Sequence, residues 1–202
     1  MKILFTGGRA PATLELVRNF GQNGWDVYVA DSISPVLSEF SKYTKSFYKI
    51  SSPRHTEPLF VADLIEIINA NKIDILLPTC EEIFWISKNK KEILDNCNVR
   101  IICDDIEKLS LLHNKYRFIE FVKAEGILSP ETFIYDGKNN FIKKFVIKPV
   151  FCRFGEDVII AGGTEEIDYS RGQYILQEFI EEYEAENGPI QLADDEKYAY
   201  RK

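Results

Sequence analysis

The sequence predicts an α/β protein in two parts: a parallel sheet with helices on both faces, then a small, mostly antiparallel α+β part. Before Asp104, short apolar runs alternate with helical patterns, as in βαβ units, whose strands are parallel. After Asp104, two helical patterns precede a series of short strands separated by glycine-containing turns. We therefore expect one domain at 1–104, a second at 105–180 and an acidic tail at 181–202.

The elements of the first part follow from the spacing of apolar residues. An apolar run at 3–5 ends at two glycines and predicts a strand, and Pro11 suits the first turn of the helix after it. Val61, Leu64 and Ile68 share one helical face and predict a second helix. Such a Rossmann-like sheet binds ligands at the carboxyl ends of its strands. Further apolar runs predict strands at 25–30, 47–50, 73–77 and 99–103.

The second part begins with two helical patterns, of which the second ends at Gly126. The residues after 180 are mostly polar, with seven acidic and three basic side chains and no apolar period, so we expect a solvated or frayed tail. The predicted helices cover 105–112 and 115–125, and the predicted strands cover 132–135, 145–148, 158–161 and 174–179.

Composition limits the classes of function. The 202 residues are 45% hydrophobic and 28% charged, which is typical of a folded globular protein. The net charge of −7 repels phosphate backbones and anionic lipids, so we expect neither a nucleic acid nor a membrane surface as a partner. No apolar run approaches the roughly 20 residues that span a bilayer, and the first residues do not resemble a signal peptide.

The cysteines and histidines give no metal motif. His55 and His113 are the only histidines, so the sequence offers no zinc-ligand spacing. The four cysteines are widely spread and form no C-x-x-C pair: Cys80, Cys97, Cys103 and Cys152. We therefore expect a reduced, cytoplasmic protein.

The loop after the first strand is a candidate substrate site. Gly7, Gly8 and Arg9 lie between a strand and a helix, where backbone N–H groups, the helix dipole and a forked guanidinium suit an anion. A tight turn that only caps the helix explains these residues equally well. Asp31 follows about twenty residues later, as the ribose-binding acid of a dinucleotide site does. The loop lacks the G-x-G-x-x-G motif, so a dinucleotide-dependent oxidoreductase is the less favoured alternative.

Two adjacent carboxylates, Glu81 and Glu82, follow the strand at 73–77. At the carboxyl end of a strand they could orient an amine or another polar substrate. As the first residues of the next helix they would instead complement its dipole, which is the more common use of acids there. Both alternatives stay open from the sequence.

The second part holds a candidate phosphate site. Lys148 ends an otherwise apolar strand, where burial of its charge is costly unless an anion accompanies it. Arg153, Phe154 and Gly155 follow in a turn, and together with the lysine they predict a loop that closes over a polyphosphate. Lysines at strand ends are also common without a ligand. A later strand ends in Glu178 beside apolar residues, which suits either a flat base such as adenine or an ordinary solvent-facing strand.

The order of these segments resembles the ATP-grasp superfamily, most closely the carbamoyl-phosphate-synthase-like branch of its carboxylate–amine ligases. The first part resembles the pre-ATP-grasp domain, and the second resembles the first ATP-grasp subdomain, incomplete at its carboxyl terminus. The resemblance rests on five segments in order: Asn114-Lys115-Tyr116-Arg117-Phe118, Pro130 before a strand, Val146-Ile147-Lys148-Pro149, Arg153-Phe154-Gly155 and Leu176-Gln177-Glu178-Phe179-Ile180.

The resemblance implies an ATP site. Lys115 and Lys148 would contact the nucleotide phosphates, and the loop at 153–155 would cover them. The adenine ring would be bound by the side chain of one residue and the backbone of two: Glu178, Phe179 and Ile180.

The resemblance also implies an activity and its partners. Members of the superfamily use ATP and Mg²⁺ to activate a carboxylate as an acyl phosphate, which an amine or another nucleophile then attacks. We expect ATP and a small carboxylate as partners. The superfamily's magnesium ligands belong to a later part that finds no match here, so we expect no metal ligands and no activity from this chain alone. A second chain or a C-terminal half would complete the nucleotide-binding cleft. A homodimer and a non-catalytic nucleotide- or carboxylate-binding module stay open. The candidate substrate ligands are Gly7, Gly8, Arg9, Glu81 and Glu82.

Overall fold

The computed structural model describes residues 1–135, 144–152, 158–161 and 172–180. The chain divides into two compact units, Met1–Asn114 and Lys115–Lys202. The first holds a five-stranded sheet with parallel pairings, and the second holds a four-stranded sheet with antiparallel pairings. These strand directions confirm the predicted α/β class. The domain limits at 104 and 180 stay predictions.

The first unit alternates strands with helices. In chain order these are β1 (Lys2–Thr6), α1 (Pro11–Gln22), β2 (Asp26–Asp31), a short 3-10 helix (Leu37–Phe40), β3 (Thr44–Lys49), α2 (Glu57–Asn71), β4 (Ile75–Pro78), α3 (Glu82–Lys88), α4 (Lys90–Asn96), β5 (Arg100–Ile101) and α5 (Ile106–His113). The strand order is β3-β2-β1-β4-β5, so the chain starts in the middle of the sheet and extends it on both sides. This is the order of doubly wound parallel sheets.

The parallel sheet is buried on both faces. Successive side chains of a strand point to opposite sides, and β1 shows the result. Leu4 belongs to the same core cluster as Leu64 of α2, whereas Phe5 belongs to a second cluster with Val17 of α1. All four side chains are fully buried. The prediction of helices on both faces is therefore confirmed.

The second unit combines one helix with a small sheet in the described ranges. Its elements are α6 (Lys115–Ala124), β6 (Thr132–Ile134), β7 (Phe145–Pro149), β8 (Ile159–Ala161) and β9 (Tyr174–Glu178). The strand order is β6-β9-β7-β8, and Ile147, Tyr174 and Leu176 form the centre of its core. After α6 the chain turns at Gly126, whose φ of 72° is left-handed, in agreement with the predicted helix end. In neither unit is any described helix long and apolar enough to cross a membrane.

Candidate functional site

A cleft of about 380 Å³ opens at the carboxyl ends of the parallel strands. Its walls come from the ends of β1, β2 and β4, the segment after β3 and the start of α3. The chain reverses its winding direction between β1 and β4, and doubly wound sheets bind ligands beside such a reversal. Gly7, Arg9, Glu81 and Glu82 line the cleft, and Gly8 is buried beside Gly7. The structure thus brings the five predicted substrate residues to one edge of the sheet.

Arg9 forms an ion pair with Asp31 at the edge of the cleft. The Nε of Arg9 donates to Oδ2 of Asp31 at 3.1 Å, and a terminal guanidinium nitrogen donates to Oδ1. The backbone N–H of Arg9 also donates to Oδ2, at 3.0 Å, and that of Ala10 donates to the Gly7 carbonyl. Two N–H groups of the predicted anion-binding loop are therefore used within the protein. Burial lowers the pKa of the Arg9 guanidinium, but the hydrogen bonds and charge of Asp31 more than offset this and raise it overall.

Asp31 has little capacity left for a ribose hydroxyl. Its side chain is completely buried, and besides Arg9 it accepts the backbone N–H of Ile33 at 3.1 Å. A carboxylate that already accepts donors on both oxygens is a structural ion-pair partner. This geometry speaks against the dinucleotide alternative.

The two glycines occupy positions where a side chain has no room. Gly7 has a φ of +74°, and a Cβ there would lie 2.8 Å from Oε1 of Glu82. A Cβ on Gly8 would lie 2.7 Å from Cγ1 of Val29. The tight-turn alternative therefore accounts for both glycines without a ligand.

Glu81 and Glu82 have different surroundings. The buried Glu82 accepts hydrogen bonds at Oε1 from the Thr6 hydroxyl at 2.8 Å and from the N–H groups of Thr79 and Cys80 at 3.2 and 3.1 Å. These bonds join the ends of β1 and β4 to the first turn of α3, which favours the structural alternative for Glu82. Glu81 is exposed on the cleft.

In the second unit, Lys115 and Lys148 bring two cations close together. Lys115 begins α6, and its Nζ donates to the carbonyl oxygens of Pro149 at 3.2 Å and Cys152 at 3.1 Å. Lys148 lies on β7, and its Nζ donates to Oε1 of Gln177 at 2.6 Å. Among the residues that the structure describes, neither ammonium has a carboxylate partner.

The surroundings of Lys148 disfavour its charged form. Burial lowers the pKa of Lys148 below its ordinary value of 10.5, and the positive charge of Lys115 lowers it further, while Cys152 acts in the opposite direction. A half-buried cation beside a second cation is the arrangement that a bound anion would stabilise.

Gln177 contacts the candidate phosphate-binding residue Lys148, and sequence reasoning gave it no role. Its Nε2 donates to Oγ1 of Thr132 at 3.0 Å while its Oε1 accepts from Lys148. The pairing of Lys148 with Ile175 places Lys148 and Gln177 on one face of the sheet, because side chains alternate along a strand. The alternation of side chains along β9 could have identified Gln177 from the sequence. That inference also requires the register of β7 against β9, which the sequence alone does not supply.

The proposed adenine residues lie at the end of β9. Glu178 pairs with Phe145 and therefore lies on the opposite face of the sheet from Lys148. Its Oε2 accepts the N–H of Glu131 at 3.3 Å, and the N–H of Phe179 donates to the Lys144 carbonyl at 3.3 Å. Ile180 is exposed. The carboxylate of Glu178 and the amide of Phe179 thus already have partners within the protein.

Three predicted phosphate-loop residues, Arg153, Phe154 and Gly155, lie outside the described residues, as does the tail at 181–202. Within the described ranges, no group of three His, Cys, Asp or Glu side chains is placed to hold a metal ion.

No protein-family model matches the chain, and no curated protein is significantly similar to it in sequence. Solved structures do match it. An L-amino acid ligase from Bacillus licheniformis gives a TM-score of 0.68 at 11% identity, over 89% of this chain and 44% of the ligase. A biotin carboxylase–βγ-ATP complex from Campylobacter jejuni gives 0.62 at 14% identity, over 89% and 45%. The N5-carboxyaminoimidazole ribonucleotide synthetase from Thermotoga maritima gives 0.56 at 18% identity, over 89% and 46%.

These comparisons concern the fold, because all identities are below 20%. The chain spans less than half the length of each of these three proteins. It therefore shares its fold with part of a ligase, part of a carboxylase and part of a synthetase.

Proposed function

We propose that this chain is the ATP-binding portion of an ATP-grasp carboxylate–amine ligase of the carbamoyl-phosphate-synthase-like branch. The enzyme would activate a small carboxylate as an acyl phosphate, transferring the γ-phosphoryl group of ATP to a carboxylate oxygen and releasing ADP. The observation that carries the proposal is the pair of ammonium groups of Lys115 and Lys148, which have no carboxylate partner in the described ranges.

Electrostatics favours a polyphosphate at this pair. The lowered pKa of Lys148 reflects burial and repulsion from Lys115, and a bound phosphate would turn the repulsion into two charge-assisted contacts. Gln177 holds Lys148, and backbone carbonyls hold Lys115, so both cations are in place before a ligand arrives. Groups fixed in advance where charge must be neutralised are the main protein contribution to phosphoryl transfer.

The remaining nucleotide contacts are proposed from the resemblance. Glu178 would meet the adenine amino group, and the backbone of Phe179 and Ile180 would bind the ring edge. The loop at 153–155 would cover the phosphates. Because Gln177 shares a face with Lys148, we add it as the residue that positions this lysine.

The carboxylate substrate is proposed to bind in the cleft of the first unit. Gly7, Gly8 and Glu82 would shape its wall through the turn and the hydrogen bonds already described. Arg9, held in place by its hydrogen bonds to Asp31, would form a fixed part of that wall. Glu81 is a predicted carboxylate that is exposed on this cleft.

Mg²⁺ would neutralise and bridge phosphates in an enzyme of this superfamily. We assign it no ligand in the described ranges and expect the isolated chain to bind ATP without ligation. The proposal includes a cytoplasmic location and no nucleic-acid or membrane partner. A second chain or a C-terminal half would complete the nucleotide-binding cleft, and a homodimer is a separate alternative.

Calorimetric titration of Mg-ATP into the purified chain tests the proposal. Loss of a charge-assisted contact should weaken binding by roughly tenfold or more in Lys148→Ala. Lys123→Ala is the matched control, because Lys123 is an exposed lysine on α6 that pairs with Glu120. Equal ATP affinities in the wild type and Lys148→Ala, or no binding in either, would contradict the phosphate site. Detectable ligation by the chain alone would contradict the expected inactivity.

A further inference from the structure

The cleft of the first unit carries charges of both signs. Two arginines and three carboxylates line it. Arg9 and Asp31 bind each other, and Glu82 is held by Thr6 and two backbone N–H groups. These three charged groups therefore already have partners within the protein.

Arg54 is placed differently. It lies after β3 on the exposed rim of the cleft and makes no hydrogen bond or ion pair with any residue that the structure describes. Its guanidinium presents a planar fork that matches the two oxygens of a carboxylate. Glu81, also exposed on this cleft, supplies a negative charge.

The inner wall of the cleft is apolar. Phe60 and Ile50 are 1% and 7% exposed and belong to the core, and the half-buried indole of Trp85 packs against the same cluster. A ligand that fills the cleft therefore meets charged groups at the rim and apolar side chains inside. That combination suits a small amphipathic molecule.

Size and charge restrict the ligand further. A volume of about 380 Å³ is near the lower end of the range for small-molecule sites, roughly 300–1,000 Å³. With three carboxylates against two arginines, the lining has a net negative charge, which disfavours a phosphate dianion and tolerates a molecule that carries its own ammonium.

We propose that this cleft binds an amino acid zwitterion with an apolar side chain. Arg54 would bind the carboxylate, Glu81 would bind the ammonium, and the side chain would contact Trp85 and Phe60. The inference deepens the proposed function, since it names the class of the carboxylate substrate. It does not depend on the ATP site, which lies in the other unit.

Tryptophan fluorescence tests the inference. The chain has two tryptophans, and Trp25 packs against Phe20 in a different core cluster, so Trp25→Phe leaves Trp85 as the reporter in the cleft. The probes are L-leucine, isoamylamine, which lacks its carboxylate, isocaproate, which lacks its ammonium, and inorganic phosphate. Calorimetry with L-leucine and the unmodified chain repeats the measurement without a substitution.

We expect saturable binding of L-leucine, with at least about tenfold weaker binding of the two analogues and of L-leucine to Arg54→Gln or Glu81→Gln. Arg100→Gln is the matched control, because Arg100 is an exposed arginine at the amino end of β5 and should bind L-leucine normally. No saturable binding of L-leucine, equal binding of either analogue, or tighter binding of phosphate would overturn the inference. If any of these results were found while ATP binding still depended on Lys148, the amino acid site would be wrong but the proposed function would be retained.

Discussion

Gln177 lies between Lys148 and Thr132 and hydrogen-bonds to both. Its Oε1 accepts from Nζ of Lys148 at 2.6 Å, and its Nε2 donates to Oγ1 of Thr132 at 3.0 Å. One amide can do this because one end accepts and the other donates. The long, flexible lysine side chain is thereby held in one position on the face of the small sheet.

Replacing Gln177 with methionine keeps the length of the side chain and removes the amide. Because Lys148 keeps its charge but loses its partner, we expect ATP affinity to fall roughly threefold to tenfold, less than in Lys148→Ala. Calorimetry measures the change. Gln173→Met is the control, since Gln173 is exposed just before β9. Unchanged affinity in Gln177→Met would show that Lys148 needs no positioning.

The lowered pKa of Lys148 predicts a pH dependence. Phosphate binding needs the protonated ammonium, so affinity for ATP should decline as the pH rises through this pKa, below the ordinary 10.5. Lys148→Arg stays protonated throughout this range and should hold its affinity. Dissociation constants measured from neutral pH to about 10.5 compare the two proteins. Parallel pH profiles would mean that the titration of Lys148 does not control binding.

The Arg9–Asp31 pair is expected to contribute to stability. In Arg9→Gln the fully buried Asp31 carboxylate loses its charged partner and keeps only backbone donors, which should lower the free energy of unfolding by about 1–3 kcal/mol. Urea unfolding followed by tryptophan fluorescence reports on the first unit, which contains both tryptophans. Arg18→Gln, which breaks an exposed pair with Glu15, should cost about 0.5 kcal/mol or less. Equal losses in the two variants would refute the buried role of Asp31.

Alanine variants at Gly7 and Gly24 distinguish the cost of backbone strain from the cost of steric crowding. Both have left-handed φ values, 74° and 79°, but a Cβ on Gly24 meets nothing within 4 Å, whereas one on Gly7 would crowd Glu82 and Thr79. Gly24→Ala should therefore cost about 1–2 kcal/mol, and Gly7→Ala at least about 1 kcal/mol more. Urea unfolding of both variants checks this, and similar costs would show that the turn at Gly7 adjusts freely.

Local hydrophobic patterns predicted the strands and helices well, because each pattern arises from the burial of one side of a single element. The apolar run at β1 and the helical spacing of α2 each reflect one element burying one surface, and both elements lie where the sequence predicted them. Which residues share a face of a strand follows equally from alternation. These regularities were enough for the fold class.

The partners of polar side chains were not predictable in this way. Arg9 and Asp31 meet because the ends of β1 and β2 are neighbours in the sheet, and Asp31 read alone resembles a ribose-binding acid. Gln177 reaches Lys148 only through the register of two antiparallel strands. Such pairings depend on which elements are neighbours in the folded protein, and the hydrophobic periodicity of a single element does not reveal this.

Lys115 holds the start of α6 to the end of β7 in two ways. Its backbone N–H donates to the Val150 carbonyl at 3.2 Å, and its ammonium donates to the Pro149 and Cys152 carbonyls. A substitution that removes the ammonium removes a structural tie and a candidate phosphate contact together, so loss of binding in such a Lys115 variant is ambiguous. Lys148, whose side-chain partner in the described ranges is one amide oxygen, is the better position for separating nucleotide affinity from folding in mutational scans of this unit.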